Sequence, residues 1–139
     1  MTARHGQDER MRSVGLVTVV VREYDEAVRF YVDALGFELR EDSVLPGGKR
    51  WIVVGLPGGT AVLLARAATA AQRLRVGDQT GGRVAFFLDT DDFLAEYERL
   101  RAAGVRFVEP PRQEVYGTVA VFQDLYGNRW DLVERRHDP

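Results

Sequence analysis

Cysteine is absent from the 139 residues. Disulfides, a thiolate nucleophile and a cysteine-ligated metal site are thereby excluded. Histidine is scarce as well. His5 and His137 lie near the two ends of the sequence, with no HxxxH spacing and no carboxylate cluster beside them. No serine neighbours either one, so no nucleophile–base–acid triad can be read. The chain has no apolar run as long as a membrane span. Its first ten residues, MTARHGQDER, lack the apolar stretch of a secretory leader, and a cytoplasmic location is the default expectation. Charge of one sign is not in excess. Lys and Arg number 19 against 21 Asp and Glu, and the signs are interspersed, so the basic footprint of a nucleic-acid or membrane-surface binder is missing. Gly47-Gly48 and Gly58-Gly59 have neither the spacing of a phosphate-binding loop nor a helix after them, and no cofactor motif is found.

What is present is a repeat. Residues 14–21 are rich in valine and read as a strand. Tyr24 to Leu35 reads as a helix, with Ala27, Phe30, Tyr31, Ala34 and Leu35 on one face, and Gly36 stops it. Three strands follow: Phe37 to Val44, Arg50 to Gly55 and Thr60 to Ala65, separated by Pro46-Gly47-Gly48 and Pro57-Gly58-Gly59. Residues 66–80 break the pattern with a short alanine-rich helix. The order then recurs. Arg83 to Asp89 is a strand, and Asp92 to Ala103 a helix capped by Thr90 or Asp91 and stopped by Gly104. Val105 to Val108 is a strand ended by Pro110-Pro111, followed by strands at Thr118 to Gln123 and Arg129 to Glu134. The halves match at an offset of about 67–68 positions, with Gly36 answering Gly104 and Gly59 answering Gly127. The expected organisation is a tail over 1–12, a βαβββ module over 13–66, a connector over 67–80, a second βαβββ module over 81–135, and a tail over 136–139. The fold class is α+β.

Two βαβββ modules in tandem resemble the vicinal oxygen chelate superfamily, which includes glyoxalase I, extradiol dioxygenases and the bleomycin- and fosfomycin-resistance proteins. The resemblance extends to Tyr24-Asp25-Glu26-Ala27-Val28-Arg29-Phe30-Tyr31, to Leu35-Gly36-Phe37, and to Asp124 through Leu132 (DLYGNRWDL). It implies a cupped mixed sheet with helices outside and a site on the concave side. Metal-dependent members place His and Glu ligands on the first and last strand of each module. Those positions correspond here to Leu16, Leu63 (Leu64 in the alternative register), Arg83 and Asp131. Leucine has no donor atom, and arginine is a permanent cation. One carboxylate is not a metal site, so no metal is expected and a binding protein is favoured over an enzyme.

Alternation across the strands then fills the cup. Leu16, Thr18 and Val20 share one face, as do Ala61 and Leu63, Arg83, Ala85 and Phe87, and Arg129, Asp131 and Val133. Trp51 is a candidate stacking surface, with Tyr116 and Gln123 at the border. Arg83 and Asp131 are expected to face each other, either to orient a ligand or as a structural ion pair. Asp131 is also the one candidate base, though a weak one beside an arginine. The expected ligand is a small neutral or anionic organic molecule. The competing readings are a metal-dependent lyase or dioxygenase with a non-standard site, and a ligand-free scaffold. Unpaired sheet edges lead to an expected homodimer.

Overall fold

The computed structural model describes residues 10–136. His5, His137 and the outer parts of both expected tails lie outside the described residues. The elements run β1 (Leu16–Val21), α1 (Tyr24–Val28) continuing as a π-helical turn (Arg29–Ala34), β2 (Glu38–Val44), β3 (Arg50–Gly55), β4 (Ala61–Arg66), α2 (Ala70–Arg75), β5 (Val84–Asp89), α3 (Phe93–Ala102), β6 (Arg106–Glu114), β7 (Gly117–Gln123) and β8 (Arg129–Arg135). Gly36 and Gly104 take φ of +79° and +89° just past the helices, a conformation that costs glycine little.

The strands form two four-stranded mixed sheets, ordered β1-β4-β3-β2 and β5-β8-β7-β6. In each, the first and last strands of a module run parallel and the rest are antiparallel. β1 and β5 are both end strands, and among the described residues no ladder joins them. The expected cupped sheet is therefore divided in two within a single chain.

One core serves both sheets. Val19, Val21, Ile52, Val54 and Leu64 from the first cluster with Leu88, Phe122, Trp130 and Leu132 from the second, around Ala27, Tyr31 and Leu35 of the first helix and Phe93 and Leu100 of α3. Tyr31 is fully buried, with its ring centroid 6.0 Å from that of Trp130 and 5.8 Å from that of Phe37. On α3, Phe93 and Leu100 are buried while Leu94 is 63% exposed.

A polar network crosses this core. The Tyr31 hydroxyl donates to Asp124 Oδ2 at 2.7 Å, and Asn128 Nδ2 donates to the same oxygen at 2.9 Å. Asp124 Oδ1 accepts from the backbone N–H groups of Tyr126, Gly127 and Asn128 at 3.0, 3.1 and 3.0 Å. Burial, then the Asp124 charge, holds the Tyr31 phenol well above its ordinary pKa, so it remains a donor. Asn128 Oδ1 in turn accepts from the backbone N–H of Gln79 in the connector. The Gln79 side chain accepts from Val20 N at 2.9 Å and donates to Thr18 O at 2.6 Å. It thus occupies the free edge of β1 much as a neighbouring strand would. Gln79→Ala is expected to cost about 1–2 kcal/mol and to speed hydrogen exchange at the Val20 amide. Unchanged exchange there would show that the edge is not held by this side chain.

Two local expectations are corrected. Asp92, not Thr90 or Asp91, caps α3: its Oδ1 accepts from Ala95 N, while Thr90 Oγ1 accepts from Asp92 N. β6 does not end before Pro110-Pro111 but runs through to Glu114. It is an end strand with register shifts on both sides of Glu109, the setting in which a strand tolerates proline.

Candidate functional site

The sheet faces turned away from the core carry the expected site residues in two groups. In the first module, the parallel register pairs Thr18 with Leu63 and Leu16 with Ala61. Trp51 alternates with the buried Ile52, which places it on the same outer face as Val53. Its indole Nε1 donates to Glu41 Oε1 at 3.3 Å. Leu16 and Thr18 are exposed, and Leu63 and Trp51 are half-buried. This half is an apolar and aromatic platform.

The second module supplies the charged half. Asp131 sits on β8 opposite Phe87 of β5 and Val121 of β7. Its outer-face neighbours Val119, Val121 and Val133 are at most 2% exposed, and Asp131 itself is 6% exposed. Oδ1 of Asp131 is buried with no hydrogen-bond partner. Burial raises its pKa above the ordinary carboxylate value; the Arg112 charge lowers it and the Glu109 charge raises it. Phe87 is 56% exposed, so an aromatic face stands open beside the carboxyl.

Glu109 and Arg112 were not legible as site residues, because they belong to the part of β6 beyond the expected strand end at Val108. The hairpin turn that closes β6 on β7 falls at Val115-Tyr116, a pair with no turn signature, so the strand's extension to Glu114 was not marked in the sequence. Arg112 Nη1 lies 2.9 Å from Glu109 Oε1, and its Nε lies 2.6 Å from Glu114 Oε2. Arg129 Nη1 lies 3.8 Å from Glu109 Oε2. These side chains are partly exposed, so the pairs rigidify the rim more than they stabilise the fold.

The expected Arg83–Asp131 contact is corrected. No hydrogen bond or ion pair joins the two among the described residues. The register explains it. Asp131 is level with Phe87 and Arg129 with Val84, so Arg83 falls about three β8 residues short of Asp131, roughly 10 Å along the strand at 3.3 Å per residue. A shift between Val84 and Phe86 takes up one extra β5 residue, which shortens that separation without bringing Arg83 level with Asp131. Arg83 is exposed just before β5, and its backbone carbonyl accepts from Thr80 Oγ1 at 2.6 Å.

The donor set does not fit a metal ion. The four positions carry two leucines, an arginine and one carboxylate, and no group of three or more His, Cys, Asp or Glu among the described residues is arranged to hold a cation. Nor does one chain gather the two halves. The open apolar groove at the seam of the sheets, about 620 Å³, is walled by Val17, Val62, Phe86 and Trp130, and takes in only Phe87 of the expected site residues. No helix among the described residues is long and apolar enough to cross a membrane.

The chain is 33% identical to UcmS2, whose crystal structure superposes with a TM-score of 0.77 over 89% of this chain and 99% of that one. It is 28% identical to TnmS3 from Streptomyces sp. CB03234, described as an antibiotic binding protein, with a TM-score of 0.74 over 91% and 98%. An uncharacterized protein of Shewanella frigidimarina (strain NCIMB 400) is 50% identical over 126 residues, 88% of this chain and 93% of that protein. The family model that matches residues 13–132 spans both modules with their paired sheets and shared core, and through it the chain belongs to the Glyoxalase/Bleomycin resistance protein/Dioxygenase superfamily.

Proposed function

We propose that this protein binds a small neutral or anionic organic molecule without a metal, as a homodimer in which the apolar half-site of one chain covers the charged half-site of the other. The observation that carries the reading is Asp131: a buried carboxyl with an oxygen that has no partner, set among valines and beside an exposed phenylalanine. An unpaired buried polar atom costs about 1–3 kcal/mol, and a ligand N–H or O–H that reaches Oδ1 removes that cost. Phe87 and Trp51 offer stacking surfaces for a flat apolar body. Arg129 and Arg112 are balanced by Glu109 and Glu114, so the rim carries no excess of positive charge. Leu16, Thr18 and Leu63 form the wall that one chain lacks around its own Asp131. Exposed Val14, Leu16 and Phe87, on and beside the end strands β1 and β5, give the second copy apolar surface to cover. The antibiotic-binding description of TnmS3 supports sequestration as the mode of action.

Native mass spectrometry of the purified protein tests the assembly and the metal together. The expected spectrum is a dimer with no bound Zn, Ni, Fe or Mn. A monomer at micromolar concentration would overturn the two-chain site. About one divalent ion per chain would overturn the metal-free reading and restore a lyase or dioxygenase.

A further inference from the structure

We infer that the chain carries a second binding site, for a small dianionic oxyanion such as a phosphate monoester or a dicarboxylate, where Arg22, Arg66 and Arg73 converge. They line a groove of about 700 Å³ between the ends of β1 and β4, α2 and the β7–β8 turn. The parallel register sets Val21 beside Arg66, and Arg22 follows one residue on, so both arginines stand at the same end of adjacent strands. In sequence these arginines are scattered singly, and only the fold brings them together.

Two of the three are held in place before any ligand arrives. The Arg66 guanidinium lies 4.7 Å from the centroid of the Tyr24 ring, and that of Arg22 lies 5.6 Å from the centroid of Tyr126. Arg22 is also paired through Nε and Nη2, each at 3.1 Å, with the Glu26 carboxylate. The Tyr126 hydroxyl donates to the same carboxylate. Burial and that bond push the Tyr126 pKa up to about 12, so the phenol adds no negative charge. Cations already ordered by stacking lose less freedom when they bind.

The charges of the groove do not cancel. Its ionic lining is Arg22, Arg66 and Arg73 against Glu23. The Arg66–Glu23 separation is 3.6 Å between well-exposed side chains, a contact of little strength. Arg73 has no side-chain hydrogen bond or ion pair among the described residues. Even with Glu26 counted against Arg22, a net positive charge remains. Guanidinium groups engage two oxygens of one anion at once, and Leu125, 44% exposed, supplies apolar wall for the rest of a ligand. None of these residues belongs to the proposed cup, so either site can fail without the other.

The test is titration of the full chain with inorganic phosphate and, separately, with malonate, at ionic strength held constant with sodium chloride, followed by backbone amide NMR shifts. The expected result is saturable one-site binding of at least one anion, with shifts concentrated at Ala67, Val76 and Tyr126. Arg66→Gln and Arg73→Gln should each raise Kd about tenfold or more, equivalent to about 1.4 kcal/mol, and Arg101→Gln, on α3, should not. Which anion saturates identifies the source chemistry. Linear shifts spread over the surface, no binding of either anion, or an unchanged Kd in both variants, with melting curves showing all variants folded, would overturn the assignment.

Discussion

Asp124→Ala is expected to destabilise the protein by about 4 kcal/mol, the range for breaking a buried charged network from one side. The carboxylate accepts five hydrogen bonds. Its removal leaves the Tyr31 hydroxyl and the Asn128 amide buried without their acceptor, and releases three backbone N–H groups of the turn that aims β8. The loss also reaches the connector, since Asn128 holds Gln79 and Gln79 holds β1. Against a typical total stability of about 5–15 kcal/mol, this variant stands near the limit of folding. Tyr31→Phe is the measurable companion. It removes one bond to Oδ2, leaves Asn128 in place, and should cost about 1–2 kcal/mol. Urea denaturation provides both values, and a loss below about 1 kcal/mol for Asp124→Ala would show that the turn stands without its carboxylate.

Asp131→Leu is expected to do the opposite to stability while removing binding. A buried carboxyl with an unpartnered oxygen contributes little to folding, and an apolar replacement of similar volume is neutral or stabilising. The pH dependence has a definite sign. Burial raises the folded-state pKa of Asp131, so the folded protein holds this proton more tightly than the unfolded chain. Stability from this group is therefore greatest below the unfolded pKa, falls as pH rises through the window up to the raised folded value, and is level above it. Asp131→Leu abolishes that slope, and its advantage over the natural protein should grow with pH across the window. A ligand bonded to Oδ1 should bind about 10- to 100-fold more weakly to the variant. Loss of stability at neutral pH would instead mean that Asp131 is a structural partner of Arg112.

Much of this fold is legible in one sequence because it is written twice. Gly36 and Gly104 mark equivalent helix ends, and the valine-rich first strand and the RWDLVE strand show their period directly. The register of alternating faces is readable for the same reason: Phe86, Leu88, Trp130 and Leu132 are all large and apolar on one side. The candidate site is less legible, because it depends on alignment between strands rather than periodicity within one. The level of Asp131 against Phe87 and of Arg129 against Val84 separates Arg83 from Asp131, and that alignment has no sequence signature. Pro110-Pro111 reads as a stop, yet an end strand passes through it and brings Arg112 back to Glu109 at the site. Asp124 reads as a turn residue, and its bond to Tyr31 spans the whole length between the modules. Gln79 sits in a connector with no pattern at all.

The central claim, a metal-free small-molecule site centred on Asp131, is tested most directly by a thermal-shift screen of neutral and anionic aromatic compounds bearing hydrogen-bond donors. The screen is run on the natural chain and on Asp131→Leu, with a metal chelator present. Ligand binding raises stability in proportion to the logarithm of concentration over Kd. The account predicts compounds that raise the melting temperature of the natural chain, chelator notwithstanding, and fail to raise that of Asp131→Leu at the same concentration. Equal stabilisation of both proteins, or stabilisation that appears only when a divalent metal replaces the chelator, would contradict it.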